Sequence, residues 1–84
     1  MEIKNKLGLH ARAAALLVRT VNKFTAQVSF SKDGQVVDGR SIMGVLMLAA
    51  TQGSKIQVEA TGDDAERAVR AVEKLVNSKF NENG

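Results

Sequence analysis

Thr25-Ala26-Gln27-Val28-Ser29-Phe30-Ser31 alternates without a break: Ala26, Val28 and Phe30 fall on one side, Thr25, Gln27 and Ser29 on the other. A period of two is that of a strand with one face in the core and one in water. Lys32-Asp33-Gly34 is a turn signal, and Gln35 to Asp38 return as the second arm of a hairpin, broken by Gly39-Arg40-Ser41. Lys55 to Ala60 alternates in the same way, with Ile56, Val58 and Ala60 inward and Gln57 and Glu59 outward. Glu2 to Asn5 read as a short strand with Ile3 inward. Alternating strands imply a mainly antiparallel sheet with one face covered. The wet face is expected to carry Lys4, Gln27, Ser29, Gln57 and Glu59.

Three helical patterns lie between these strands. From about Ala11 to Lys23, the residues Ala14, Leu17, Val18, Val21 and Phe24 make one apolar stripe. Ser41 stands before Ile42 to Ala50, a short helix with Ile42, Val45, Leu46 and Ala49 as its buried stripe and Gly53 as its left-handed stop. Asp63 can cap the last helix with Glu66 three residues on. Ala65, Val69, Val72, Val76 and Phe80 form its stripe, and Asn81 to Gly84 are expected to fray. The order is strand, helix, strand, strand, helix, strand, helix, an α+β arrangement with the helices together on the covered face. Pattern alone leaves the strand order open, a ferredoxin-like order included.

The chain has 84 residues, which fits one domain over 1–84, and its 44% hydrophobic content supports one core. It has no cysteine, so neither a disulfide framework nor a thiolate metal site is available. No apolar run approaches the roughly 20 residues that span a bilayer. Met1 leads into alternating residues rather than a signal peptide, so a soluble cytoplasmic protein is expected. The net charge of +3 is unevenly placed: residues 1–42 hold seven basic and three acidic residues, residues 43–84 five and six. The basic half could steer an acidic partner or an anionic group. Three phenylalanines and no Tyr or Trp supply a nucleic-acid stacking surface poorly.

That basic half contains Gly8-Leu9-His10-Ala11-Arg12, with the only histidine of the chain. Leu7 and Leu9 are expected to anchor a turn in the core, with Gly8 taking an unusual backbone angle. The first N–H groups of the helix beginning near Ala11 have no intrahelical partner and point back toward His10. Such a start favours an anion, and the Arg12 guanidinium adds positive charge. An imidazole there can receive a negatively charged group and pass it on. On composition alone, a histidine before a helix is more often a cap or a loop residue.

Asn5-Lys6-Leu7-Gly8-Leu9-His10-Ala11-Arg12 closely resembles the active-site motif of the HPr family, small phosphocarriers of the bacterial phosphoenolpyruvate-dependent sugar phosphotransferase system. Arg40-Ser41-Ile42-Met43-Gly44-Val45-Leu46 resembles that family's regulatory serine segment. The resemblance implies an open-faced β-sandwich, βαββαβα, with a four-stranded sheet in spatial order first, fourth, second, third and three helices on one face. It implies that His10 takes a phosphoryl group on Nδ1 from enzyme I and gives it to enzyme IIA, with Arg12 offsetting charge and with no cofactor. It implies Ser41 as a target of HPr kinase, although a helix cap alone explains a serine there. It also implies Met43, Leu46 and Met47 as a docking surface for both partners, Met43 being the expected exposed member. Proline usually follows the motif arginine, and here that position is Ala13, which permits the same helical turn less rigidly. The N-terminus is several residues shorter than is common, so a short or frayed first strand is expected.

The resulting expectation is a monomeric relay, not an enzyme, that neither binds nucleic acid nor inserts in membranes. The competing reading is a regulatory module of the same fold, of the nitrogen-related branch or bound to a transcription factor, signalling through His10 or Ser41.

Overall fold

The computed structural model describes residues 1–81. The hairpin forms as read: β1 (Gln27–Lys32) and β2 (Gln35–Asp38) pair with Phe30 opposite Val37 and Lys32 opposite Gln35. Asp33 and Gly34 carry φ of 52° and 84°, a turn whose twist suits the two strands. β3 (Gln57–Thr61) lies antiparallel on the other side of β1, with Val28 opposite Ala60. The sheet order is β2-β1-β3. Val28 and Phe30 are buried, while Gln27, Gln57 and Glu59 are exposed.

The second, third and fourth expected strands lie in the order expected of them, but the first forms no ladder, so the sheet has three strands rather than the expected four in order 1-4-2-3. Glu2 to Asn5 contribute a single antiparallel bridge, Glu2 to Lys55. The backbone of Ile3 bonds to Gly53 and Ser54, which belong to a turn, and Asn5 bends away into the next loop. Met1 still exchanges two backbone bonds with Ile56, but beyond Ile3 the partner chain is a turn and the ladder stops.

α1 (Ala11–Val21) buries Ala13, Ala14, Leu17, Val18 and Val21, and stops two residues before Lys23. It packs on α2 (Ile42–Met47) and α3 (Ala65–Asn77), which lie against β2 and against β1 and β3. These helices meet the sheet around Ile3, Phe30, Val45, Ile56, Val72 and Phe80. Phe80 is buried as expected, but from a left-handed turn, Lys79–Asn81, beyond the helix. Part of the end expected to fray, residues 82–84, lies outside the described residues.

α2 departs from its expected length. It ends at Met47, and Ala49 takes the left-handed conformation (φ 50°) expected of Gly53. Gly53 is also left-handed, but its N–H serves the Ile3 carbonyl. The early stop turns Leu48 and Ala50 into the core and leaves Ala49 exposed. Ile42, expected to be buried, is exposed, because the side of α2 facing α1 and β2 is carried by Val45.

The Asp63–Glu66 capping box does not form either. Asp64 is the N-cap of α3 without capping it through its side chain. Its carboxylate instead accepts from the Thr25 amide (2.9 Å), the Ala26 amide (2.8 Å) and the Thr25 hydroxyl (3.3 Å). Glu66 pairs with Arg70 at 2.6 Å, one helical turn on. The Arg40 guanidinium grips the same connection, donating to the Phe24 carbonyl (2.5 Å) and the Ala26 carbonyl (2.9 Å). An anionic acceptor and a cationic donor thus hold the link between α1 and β1.

The Thr25 amide does most to hold the Asp64 carboxyl below the usual carboxylate range; desolvation opposes it, and the Ala26 amide and the Thr25 hydroxyl add smaller lowering effects. A carboxyl whose folded pKa is depressed stabilises the fold above its unfolded pKa. That contribution is lost as the pH falls through the folded value. Asp64→Asn is therefore expected to lower Tm at neutral pH and to flatten the acid decline of Tm below about pH 4. An equal loss of Tm at every pH would refute the carboxylate's role.

Candidate functional site

The loop from Asn5 to His10 is tied to itself and to the chain just past α2. The Gly8 N–H donates to the Asn5 carbonyl (3.2 Å), and the buried Asn5 side-chain amide returns a bond to the Gly8 carbonyl (2.8 Å). The His10 N–H donates to that same carbonyl at 3.0 Å. The Leu9 N–H reaches the Ala50 carbonyl at 2.9 Å and Leu9 is buried, as expected. Gly8 has a φ of 68°, and a Cβ there would lie 2.5 Å from the Ala50 oxygen. Glycine is required both for the backbone angle and for the close approach.

Leu7, expected to anchor this turn, is 69% exposed. With Gly8 left-handed, the turn points Leu9 inward and Leu7 outward. Asn5 performs the anchoring, and its sequence signal was weak: an Asn three residues before a Gly is a common turn pattern.

His10 is the N-cap residue of α1, with extended backbone (φ −75°, ψ 175°), and its carbonyl accepts the first helical bond from Ala14 at 2.9 Å. Its imidazole makes no cap hydrogen bond and is partly exposed. The N–H groups of Ala11, Arg12 and Ala13 precede that first bond, so they form the positive end of α1. The first turn has no acidic residue. Arg12 is exposed at the second helical position, and Ala13 is buried in the third without a proline to shape it. Together these groups can hold a nucleophilic imidazole beside donors that favour a dianionic group.

The chain just past α2 borders this loop. Met43 and Met47 are 69% and 64% exposed, Leu46 is half-buried, and α1 packs against the helix. The Ser41 Oγ accepts from the Gly44 N–H at 2.9 Å, the cap expected of it. The loop bonds to the chain beyond one end of α2 while Ser41 stands at the other, six residues or about 9 Å of helix away. Among the described residues no three His, Cys, Asp or Glu side chains are grouped to hold a metal ion. No helix there is long and apolar enough to cross a membrane.

A family model described as the PTS HPr component phosphorylation site matches residues 1–78. A phosphocarrier protein HPr of Xylella fastidiosa (strain Temecula1) is 46% identical over 82 residues, covering 98% of this chain and 92% of that protein. An HPr-like protein Crh of Halalkalibacterium halodurans is 43% identical over 72 residues, 86% of each. Among solved structures, HPr-C-His from Thermoanaerobacter tengcongensis superposes with a TM-score of 0.96 at 48% identity, over 100% of this chain and 94% of that one.

Proposed function

Because this chain belongs to the HPr phosphocarrier family, we propose that His10 is the atom-level acceptor and donor of its phosphoryl group. The observation that carries this reading is the placement of the imidazole at the start of α1, not used as a cap and beside N–H groups that precede the first helical bond. With the ring proton on Nε2, the Nδ1 lone pair attacks phosphorus. A phosphorus–nitrogen bond forms as the one on enzyme I breaks, and the reverse exchange delivers the group to a histidine of enzyme IIA. The helix-start N–H groups and Arg12 meet charge on the phosphoryl oxygens during both steps. Positioning and electrostatics are most of what such a transfer requires. A phosphorus–nitrogen bond keeps the group transferable, where a serine ester would hold it more firmly.

The domain 1–84 acts in this reading as a cytoplasmic, monomeric relay in sugar uptake, changed covalently in each half-reaction. Incubation with phosphoenolpyruvate, Mg²⁺ and enzyme I is expected to add one acid-labile phosphoryl group by intact mass, and enzyme IIA is expected to remove it. No gain with an active cognate enzyme I would overturn the proposal. A regulatory role through His10 or Ser41 would then take its place.

Met43, Met47 and the half-buried Leu46 form the proposed docking surface. Methionine adapts to more than one partner, and two of the three are exposed on a helix whose core contact is made by Val45. Met43→Glu is expected to weaken enzyme I binding about tenfold or more without unfolding the protein. Unchanged affinity by calorimetric titration would remove Met43 from the surface.

Ser41 is proposed as a regulatory phosphorylation site. A phosphate there would remain near the Gly44 N–H that the hydroxyl now serves, and would put negative charge at the edge of the docking surface. HPr kinase with ATP is expected to modify it, mapped by fragment mass. Modification elsewhere, or none, would exclude Ser41.

A further inference from the structure

Among the described residues, Asn5 is the one polar residue that is buried, and it is fully so. Burying an amide costs free energy unless its hydrogen bonds are made. An apolar side chain of similar shape could fill the same space without that cost. Packing therefore does not account for an asparagine here, whereas its hydrogen bonds do. The Asn5 Nδ2 donates to the Gly8 carbonyl at 2.8 Å, and the Gly8 N–H donates to the Asn5 carbonyl at 3.2 Å. The same Gly8 carbonyl receives the His10 N–H at 3.0 Å.

His10 is held from two sides. Its carbonyl accepts the Ala14 N–H at 2.9 Å, which ties it to α1. Its N–H hangs from the Gly8 carbonyl, with Leu9 alone between them. The direction of that carbonyl therefore sets where the His10 Cα stands against the first N–H groups of α1. The peptide unit between Gly8 and Leu9 is clamped at both polar ends: the Leu9 N–H reaches the Ala50 carbonyl at 2.9 Å, and the Asn5 amide holds the Gly8 oxygen. Glycine is the most permissive residue in backbone angle, so this peptide needs such clamps to keep one orientation.

We propose that Asn5 is a positioning residue for phosphoryl transfer. Its side-chain amide fixes the Gly8–Leu9 peptide, and through it the aim of the His10 imidazole. The inference rests on His10 being the phosphoryl acceptor. Attack requires the imidazole lone pair to point at phosphorus while the donors of α1 meet the phosphoryl oxygens, and a misplacement of about 1 Å can cost about a hundredfold in rate. Asn5 acts on this geometry without touching the transferred group. A nearby bond serves as the comparison: the exposed Gln52 Nε2 donates to the Lys4 carbonyl at 3.2 Å, holding the same segment one residue earlier without engaging the Gly8 oxygen.

The test measures transfer from phosphorylated enzyme I by rapid quench, over a range of carrier concentrations, for the parent, Asn5→Leu, Asn5→Asp and Gln52→Ala. Leucine keeps the branching of asparagine and aspartate its size, and neither leucine nor an ionised aspartate donates a hydrogen bond. Both Asn5 variants are expected to lose about tenfold in the saturated rate with KM unchanged. Their His10 amide is expected to exchange about tenfold faster in heteronuclear NMR. Gln52→Ala is expected to match the parent in both readouts. A saturated rate equal to the parent's, a loss carried by KM, an unchanged His10 amide, or an equal loss in Gln52→Ala would each overturn the proposal. Failure of both Asn5 variants to fold, read by circular dichroism, would show a purely structural side chain and overturn it as well. A parent that accepts no phosphoryl group would instead overturn the reading of His10, and exchange of the His10 amide would still test the clamp.

Discussion

His10→Ala is expected to remain unmodified after incubation with phosphoenolpyruvate, Mg²⁺ and enzyme I, while folding as the parent does. The chain has no second histidine, so the acid-labile adduct has no other imidazole to form on. The fold is expected to persist because the backbone bonds that shape the start of α1 do not depend on the side chain at this position. The His10 N–H donates to Gly8, its carbonyl receives the Ala14 N–H, and the imidazole makes no cap hydrogen bond. Alanine keeps both backbone bonds, so the stability change is expected to stay within about 1 kcal/mol. Circular dichroism melts and intact mass on the same sample check both parts. An acid-labile phosphoryl group on the variant would place the acceptor elsewhere, and an unfolded variant would show that the imidazole is structural.

Gly8→Ala is expected to be the most damaging small substitution in the loop. Two effects combine there. A side chain at φ 68° costs about 1–2 kcal/mol for its left-handed backbone. The new Cβ would also stand 2.5 Å from the Ala50 oxygen and 3.0 Å from Thr51 Cα, both backbone atoms that cannot rotate aside. Relief requires the loop to leave Ala50, which breaks the Leu9 bond and moves His10. A total loss of about 3–4 kcal/mol is expected, with slower phosphoryl acceptance. Gly53→Ala is the control, since Gly53 has a φ of 89° and nothing within 4 Å of its Cβ position. It carries the backbone strain without the collision, about 1–2 kcal/mol. Equal losses for the two in urea unfolding would show that Gly8 is not packed against Ala50.

The contrast between these glycines shows what local reading can reach. A glycine before a histidine suggests a special backbone angle, and Gly8 has one. The collision with Ala50 depends on a chain more than forty residues away, which no local pattern contains. Leu7 and Asn5 show the same limit from the other side. An apolar residue was expected to anchor the loop, and an amide bonded to the Gly8 carbonyl does so. Hydrophobicity is a property of one residue, whereas the match between an amide and a turn's carbonyl is a property of geometry.

Periodicity determined the elements of this protein by itself. The hairpin, three helices and the position of His10 before α1 all follow from spacings of two and of three to four residues, because burial on one face imposes those spacings directly. The tertiary structure alone decided where pairing stopped and which polar groups were shared. Ile3 meets a turn instead of a strand, so the expected first strand shrinks to one bridge. α2 ends early, at a left-handed Ala49, and Leu48 and Ala50 are buried beyond it. Asp64 leaves its own helix to bind the amides of Thr25 and Ala26. In each case two segments distant in sequence compete for the same backbone groups, and only their meeting in space settles the choice.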